Sequence, residues 1–153
     1  MSTTGLIAGT LEVVAFGGVT ATIASTVARY PHLPETVPIH FGVTGKANSW
    51  GPRGFVFLIP AIAVVFFIGA TFFNPIFGYV MVDKHGAVLH TLVPMPCGVL
   101  SVSQLLFYSI QVGMLESART GSPLNMRFVW LNVAILIGFV IVATFASIAS
   151  IAR

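Results

Sequence analysis

Residues Pro31 to Arg53 read PHLPETVPIHFGVTGKANSWGPR, a run of polar and turn-forming residues between two long apolar stretches. These 23 residues hold four of the nine prolines and two of the four histidines, so the block differs chemically from everything around it. On either side the chain is membrane-like. Of its 153 residues 56% are hydrophobic and 7% charged, with a mean hydropathy of +0.97, whereas soluble domains carry about 25% charged residues. Four stretches, roughly 5–28, 55–80, 92–115 and 128–151, reach the ~18 to 20 apolar residues that cross a ~30 Å hydrocarbon core. The expected fold is an all-α integral membrane protein: a single domain over 1–153, built as a four-transmembrane-helix bundle, with residues 30–54 as an ordered loop between helices 1 and 2.

The local chemistry of that loop sets its shape. Pro31, Pro34 and Pro38 fix their own backbone angles and push the residues before them toward extended conformations, which makes the entry stiff and non-helical. Val37 to Phe41 can then run extended, and Gly42-Val43-Thr44-Gly45 offers a turn. Trp50-Gly51-Pro52-Arg53-Gly54 leads into the second span with an aromatic ring and a cation at the interface. A short hairpin-like lid over the helix ends is the predicted form.

Leu33-Pro34, then Pro38-Ile39-His40-Phe41-Gly42, then Gly45, then Trp50-Gly51-Pro52-Arg53 occur in that order just before a span. This order resembles a bacterial membrane domain of unknown function. The same domain forms the amino-terminal part of membrane proteins similar to the immunity protein against the sporulation-delaying toxin. The resemblance covers about residues 6–80, the first two spans and their loop. It implies an immunity-like or signalling protein that senses a peptide or small amphiphile at the lid, with Pro34, Pro38, His40, Phe41, Gly42, Gly45, Trp50 and Arg53 as its partner-facing positions.

Each of those positions also has a plain physical reading: glycines permit turn angles, prolines stiffen, and Trp50 anchors. His40 is the exception. It can hydrogen-bond the lid to a helix end, titrate near neutral pH, or ligate a metal, and the hydrogen bond is the simplest role. His32, Glu35 and His40 are the metal-ligand candidates, but their spacing matches no compact zinc pattern, so no metal is expected. No cofactor is expected either, although a bound lipid is compatible with the composition.

Charge placement gives a topology. Arg29, Lys46, Arg53, Arg119 and Arg127 fall on one side of four antiparallel spans, and Lys84 and Arg153 on the other. The positive-inside rule then puts loop 30–54 on the cytoplasmic or equivalent side of a bacterial cytoplasmic or organellar membrane, with both termini opposite. Seven basic residues scattered over short loops form no nucleic-acid patch. The first apolar run lacks a preceding cation and is interrupted by Glu12, so it reads as a retained span rather than a cleaved signal peptide. The lone Cys97 lies in an apolar span, where a packed thiol is the simplest role. Pro60 and Asn74-Pro75 are expected to bend the second helix.

Polar residues inside spans must find partners. Cys97, Ser101, Gln104, Tyr108 and Gln111 recur at steps of four, three, four and three, which places them on one face of helix 3, turned toward other helices. Either a hydrogen-bonded seam or a small polar cavity would satisfy them. Glu12 is the one acid well inside a span, with Asn74, His90 and Ser101 as its expected partners, unless it simply reaches the headgroups. Gly5 and Gly9, and Gly17, Ala21 and Ser25, repeat at four-residue steps and offer a small-residue helix-packing face, for this bundle or for another subunit.

These features point away from catalysis. No nucleophile-base pair, paired carboxylates or phosphate loop is visible, and acids number four. The leading expectation is a non-enzymatic polytopic protein, an accessory or structural subunit of a larger membrane complex. Its partners would be membrane lipids and either other transmembrane subunits or further copies of itself. The immunity-like sensor is the alternative, and an oligomer conducting protons or solutes through Glu12 is a third.

Overall fold

A computed structural model describes residues 3–80 and 94–151. Among these residues four α-helices and one two-stranded hairpin are formed: α1 (Thr3–Arg29), β1 (Thr36–Phe41), β2 (Ala47–Pro52), α2 (Leu58–Val80), α3 (Pro94–Thr120) and α4 (Met126–Ile151). Single 3-10 turns, Tyr30–His32 and Arg53–Phe57, join the hairpin to α1 and α2. The mostly helical bundle and the hairpin between its first two helices are thus as the sequence predicts.

Three of the helices are long and apolar enough to cross a membrane, within Gly5–His32, Arg53–Phe73 and Met95–Thr120, and α4 carries a shorter apolar stretch over Met126–Val142 among the described residues. Their surfaces expose Phe16, Val65, Phe72, Leu131 and Phe145. Hydrocarbon chains solvate such side chains as well as a protein core does, so this exposure carries no penalty in a bilayer.

The central element is α3. It packs along α1 most extensively and also lies against α2 and α4. It runs five residues beyond the expected end of its span because Leu115 and Ala118 remain buried in the cluster that seats the hairpin. Its close approach to α1 depends on Gly18, where an added Cβ would lie 2.9 Å from the Cβ of Gln104.

Pro60 does not interrupt a helix. It is the third residue of α2, within the first turn, where its fixed φ already suits a helix start. The expected bend at Pro60 is therefore replaced by a helix start.

The hairpin is antiparallel, pairing Thr36 with Pro52, Val37 with Gly51 and Pro38 with Trp50, and irregularities in register flank His40. An isolated two-stranded hairpin is marginal in water. This one is held by its neighbours: Val37 is 0% exposed and packs with Leu33, Val56, Met114, Leu115 and Ala118. Backbone bonds close both of its ends. Arg53 N–H donates to Glu35 O at 2.8 Å at the open end, and Gly45 N–H donates to Gly42 O at 2.8 Å in the turn. Gly45 has φ 79°, and its carbonyl accepts from Leu124 N–H at 2.8 Å, which ties the turn to the α3–α4 connection. Only glycine adopts that φ freely, and a Cβ there would also run into the Leu124 carbonyl.

Candidate functional site

The polar stripe of α3 forms a seam rather than an open cavity. Ser101, Gln104 and Gln111 are buried, together with Cys97. Ser101 Oγ lies 2.6 Å from Leu11 O of α1 and 2.7 Å from Cys97 O one turn back, so its single proton is shared between two helix carbonyls. Gln104 Nε2 donates to Ala63 O of α2 at 3.0 Å. Gln111 Nε2 donates both to Thr26 Oγ1 of α1 at 2.7 Å and to Val56 O at 2.9 Å.

The Val56 contact meets a need set by covalent structure. In a continuing helix the carbonyl of Val56 would accept from the residue four along, which is Pro60 and has no N–H. Gln111 supplies the missing donor. A chain of hydroxyls then passes the pairing along α1: Thr26 Oγ1 donates to Thr22 O at 2.7 Å and Thr22 Oγ1 to Gly18 O at 2.8 Å. Gln104 Oε1 and Gln111 Oε1 are buried without a hydrogen-bond partner among the described residues. The amide orientations are nevertheless set, because a flip would put oxygen against the carbonyls now receiving Nε2.

Tyr108 departs from the predicted stripe. It shares the angular position of the buried residues but is 36% exposed, since a ring this long extends past the contact zone toward the surface. Thr22 and Thr26 were missed by the sequence reading. Their signal was present: Ala8, Ala15, Val19, Thr22 and Thr26, all buried, recur at the seven-, four-, three- and four-residue steps of a helix–helix seam.

Glu12 meets Cys97, whose Sγ lies 3.7 Å from Glu12 Oε1. Of its expected partners, Ser101 bonds the neighbouring Leu11 carbonyl instead, while the side chain of Asn74, and His90, fall outside the described residues.

On α1 the predicted small-residue face lies only partly within the bundle. Gly9 and Gly17 have open space where a Cβ would stand, and Ala21 and Ser25 are half-buried. Gly18, one residue on, makes the close contact. One residue is about 100° of helix rotation, enough to exchange inward and outward faces.

The lid positions separate into two groups. Pro38 is buried and Phe41 half-buried, whereas Pro34, His40, Trp50 and Arg53 are exposed. Trp50 and Pro52 belong to β2 rather than to a lead-in to the helix. Arg53 stacks over the Tyr30 ring with its Cζ 5.1 Å from the centroid, and Tyr30 in turn packs on Phe57. His40 Nδ1 lies 2.6 Å from Asn48 Oδ1 across the hairpin, so the histidine bonds within the lid rather than to a helix end. His32, Glu35 and His40 do not converge. Among the described residues no cluster of three or more metal-ligating side chains forms, and His32 lies instead in a polar cavity with Arg29 and Arg119.

Cavities lie beside the hairpin and the helix ends below it. One of about 230 Å³ beneath it is lined by Ile39, His40, Ile59, Met114, Met126 and Val129 among others. The second, of about 280 Å³, lies between the carboxy-terminal ends of α1 and α3 and is lined by Arg29, His32, Leu33, Leu115, Glu116 and Arg119.

Apolar spans, an internally hydrogen-bonded seam and a fixed hairpin at one end of the bundle define a polytopic membrane protein with a structured inter-helix element. Residues 18–64 match the model of a domain of unknown function, DUF1648. The match is narrower than the resemblance over 6–80, running from the inner part of α1 through the whole hairpin to the first turns of α2. No curated protein and no solved structure matches the chain.

Proposed function

We propose that this protein is a non-enzymatic accessory subunit of a larger membrane assembly, with the hairpin as its docking element. The supporting observation is that the hairpin is fixed on one side and bare on the other. Val37 and Pro38 are buried against the helix ends, while Val43 at 81% and Trp50 at 55% exposure face outward. A preorganised surface carrying an aromatic anchor loses little conformational entropy on binding. The outward Gly9 and Gly17 add a helix face on which a second transmembrane segment can approach closely.

Purification in a mild detergent, with identification of co-purifying chains, tests this reading. A defined partner lost on Trp50→Ala and on Val43→Asn is the expected result. A monodisperse particle without partners from its native membrane would overturn it.

A second reading, the immunity-like or signalling protein that senses a peptide or small amphiphile, is favoured by the apolar cavity beneath the lid with His40 at its wall. Methionines such as Met114 and Met126 adapt to irregular apolar ligands. Survival under the sporulation-delaying toxin, compared between the wild type and His40→Ala, separates the two readings: an accessory subunit gives no protection in either form.

A further inference from the structure

We infer that the cavity between the ends of α1 and α3 is a binding site for a phosphate monoester or diester, of the kind carried by anionic lipid headgroups. Its place in the fold is set by topology. Helices α1 and α3 run in the same direction, so Arg29, the last residue of α1, and Arg119, in the last turn of α3, arrive at the same end of the bundle. Both line the same space of about 280 Å³, with His32 at its side and Leu33 and Leu115 among its walls.

The charges are available for a ligand. Arg29 makes no hydrogen bond or ion pair with any described residue. Among the described residues Arg119 holds only Glu116, at 3.1 Å, through an i,i+3 pair whose side chains are 62% and 48% exposed. Pairs of that kind contribute little and yield readily to a better acceptor. The end of α3 is capped without the Arg119 guanidinium: Gly121 N–H donates to Ser117 O at 2.9 Å and Thr120 Oγ1 to Glu116 O at 2.8 Å. Two guanidinium groups against one carboxylate leave a net positive site, and His32 adds a donor.

Guanidinium forks match phosphate oxygens in geometry as well as charge. The apolar walls, Leu33 and Leu115, are buried at 7% and 1%, and suit the glycerol and first methylenes of a lipid. Tyr30 and Phe57, packed beside the end of α1, put this level of the bundle where aromatic rings favour the headgroup zone.

The test is lipid retention by the whole chain in nanodiscs of mixed phosphatidylglycerol and phosphatidylcholine, read as the ratio of the two lipids co-purifying after transfer to detergent. Arg29→Gln and Arg119→Gln are each expected to lower that ratio about tenfold, and Glu116→Gln to raise it. Lys46→Gln and Arg127→Gln remove the same charge elsewhere at this end and should leave it unchanged. Displacement of the bound lipid by millimolar inorganic phosphate would identify soluble phosphate as the natural source. Resistance to displacement would identify the headgroup. An equal fall in the Lys46 and Arg127 controls would mean diffuse electrostatic attraction and overturn the site, as would wild-type retention in both arginine variants. Should Arg29→Gln fail to fold, Arg29→Lys and Glu116→Gln carry the same comparison without loss of charge at Arg29.

Discussion

Replacing Gln111 by methionine tests the seam where its chemistry is most constrained. The substitution keeps the length of the side chain and removes the Nε2 bonds to Thr26 Oγ1 and Val56 O. Interhelical side-chain bonds in membranes contribute about 0.6 to 2 kcal/mol each. Thr26 retains its own bond to Thr22 O, so its loss is mild. Val56 O is different, because Pro60 offers it no amide, and a stranded buried acceptor costs roughly 1 to 3 kcal/mol. Removing the unpaired Oε1 offsets part of this, which leaves a net destabilisation of about 1 to 3 kcal/mol. The proline explanation has its own check. Pro60→Ala restores an N–H four residues after Val56, the helical partner position of its carbonyl, so Gln111→Met should cost about 1 kcal/mol less in that background. Reversible unfolding in mixed micelles with increasing sodium dodecyl sulfate, followed by emission of Trp50 and Trp130, gives both numbers. Equal costs in the two backgrounds would refute the assignment of Gln111 as substitute donor.

Two further outcomes follow from the packing. Gly45→Ala should destabilise the hairpin by about 1 to 3 kcal/mol, because it combines a left-handed φ with a collision at the Leu124 carbonyl; hydrogen exchange at the Gly42 and Leu124 amides reads the loosening, and unchanged protection would contradict it. Gly18→Leu should lower the thermal midpoint of the purified chain by separating α1 from α3, at about 1 to 3 kcal/mol, whereas Gly17→Leu should leave it nearly unchanged.

The contrast between Gly17 and Gly18 shows where sequence reading stops. Apolar length depends only on a residue and its neighbours in the chain, so the spans were legible, and so was the hairpin, whose prolines and glycines restrict their own backbone angles. The α3 stripe was legible because helical periodicity lines up Ser101, Gln104 and Gln111 without reference to any partner. What those residues touch was not. Ala63 O and Val56 O are backbone atoms present in any sequence, and they became acceptors for these glutamines only when α2 and the turn before it were placed against α3.

The amino-acid sequence by itself determined that this is a polytopic helical membrane protein with a rigid element between its first two helices, because hydrophobic length and proline stereochemistry act locally. Only the tertiary structure decided that Glu12 meets Cys97, that Gly18 rather than Gly17 faces α3, and that Arg29 and Arg119 line one cavity. Those outcomes depend on the rotation and axial register of whole helices, and these are set by the sum of many contacts between residues up to about ninety positions apart, as in the bond from Ser101 to Leu11.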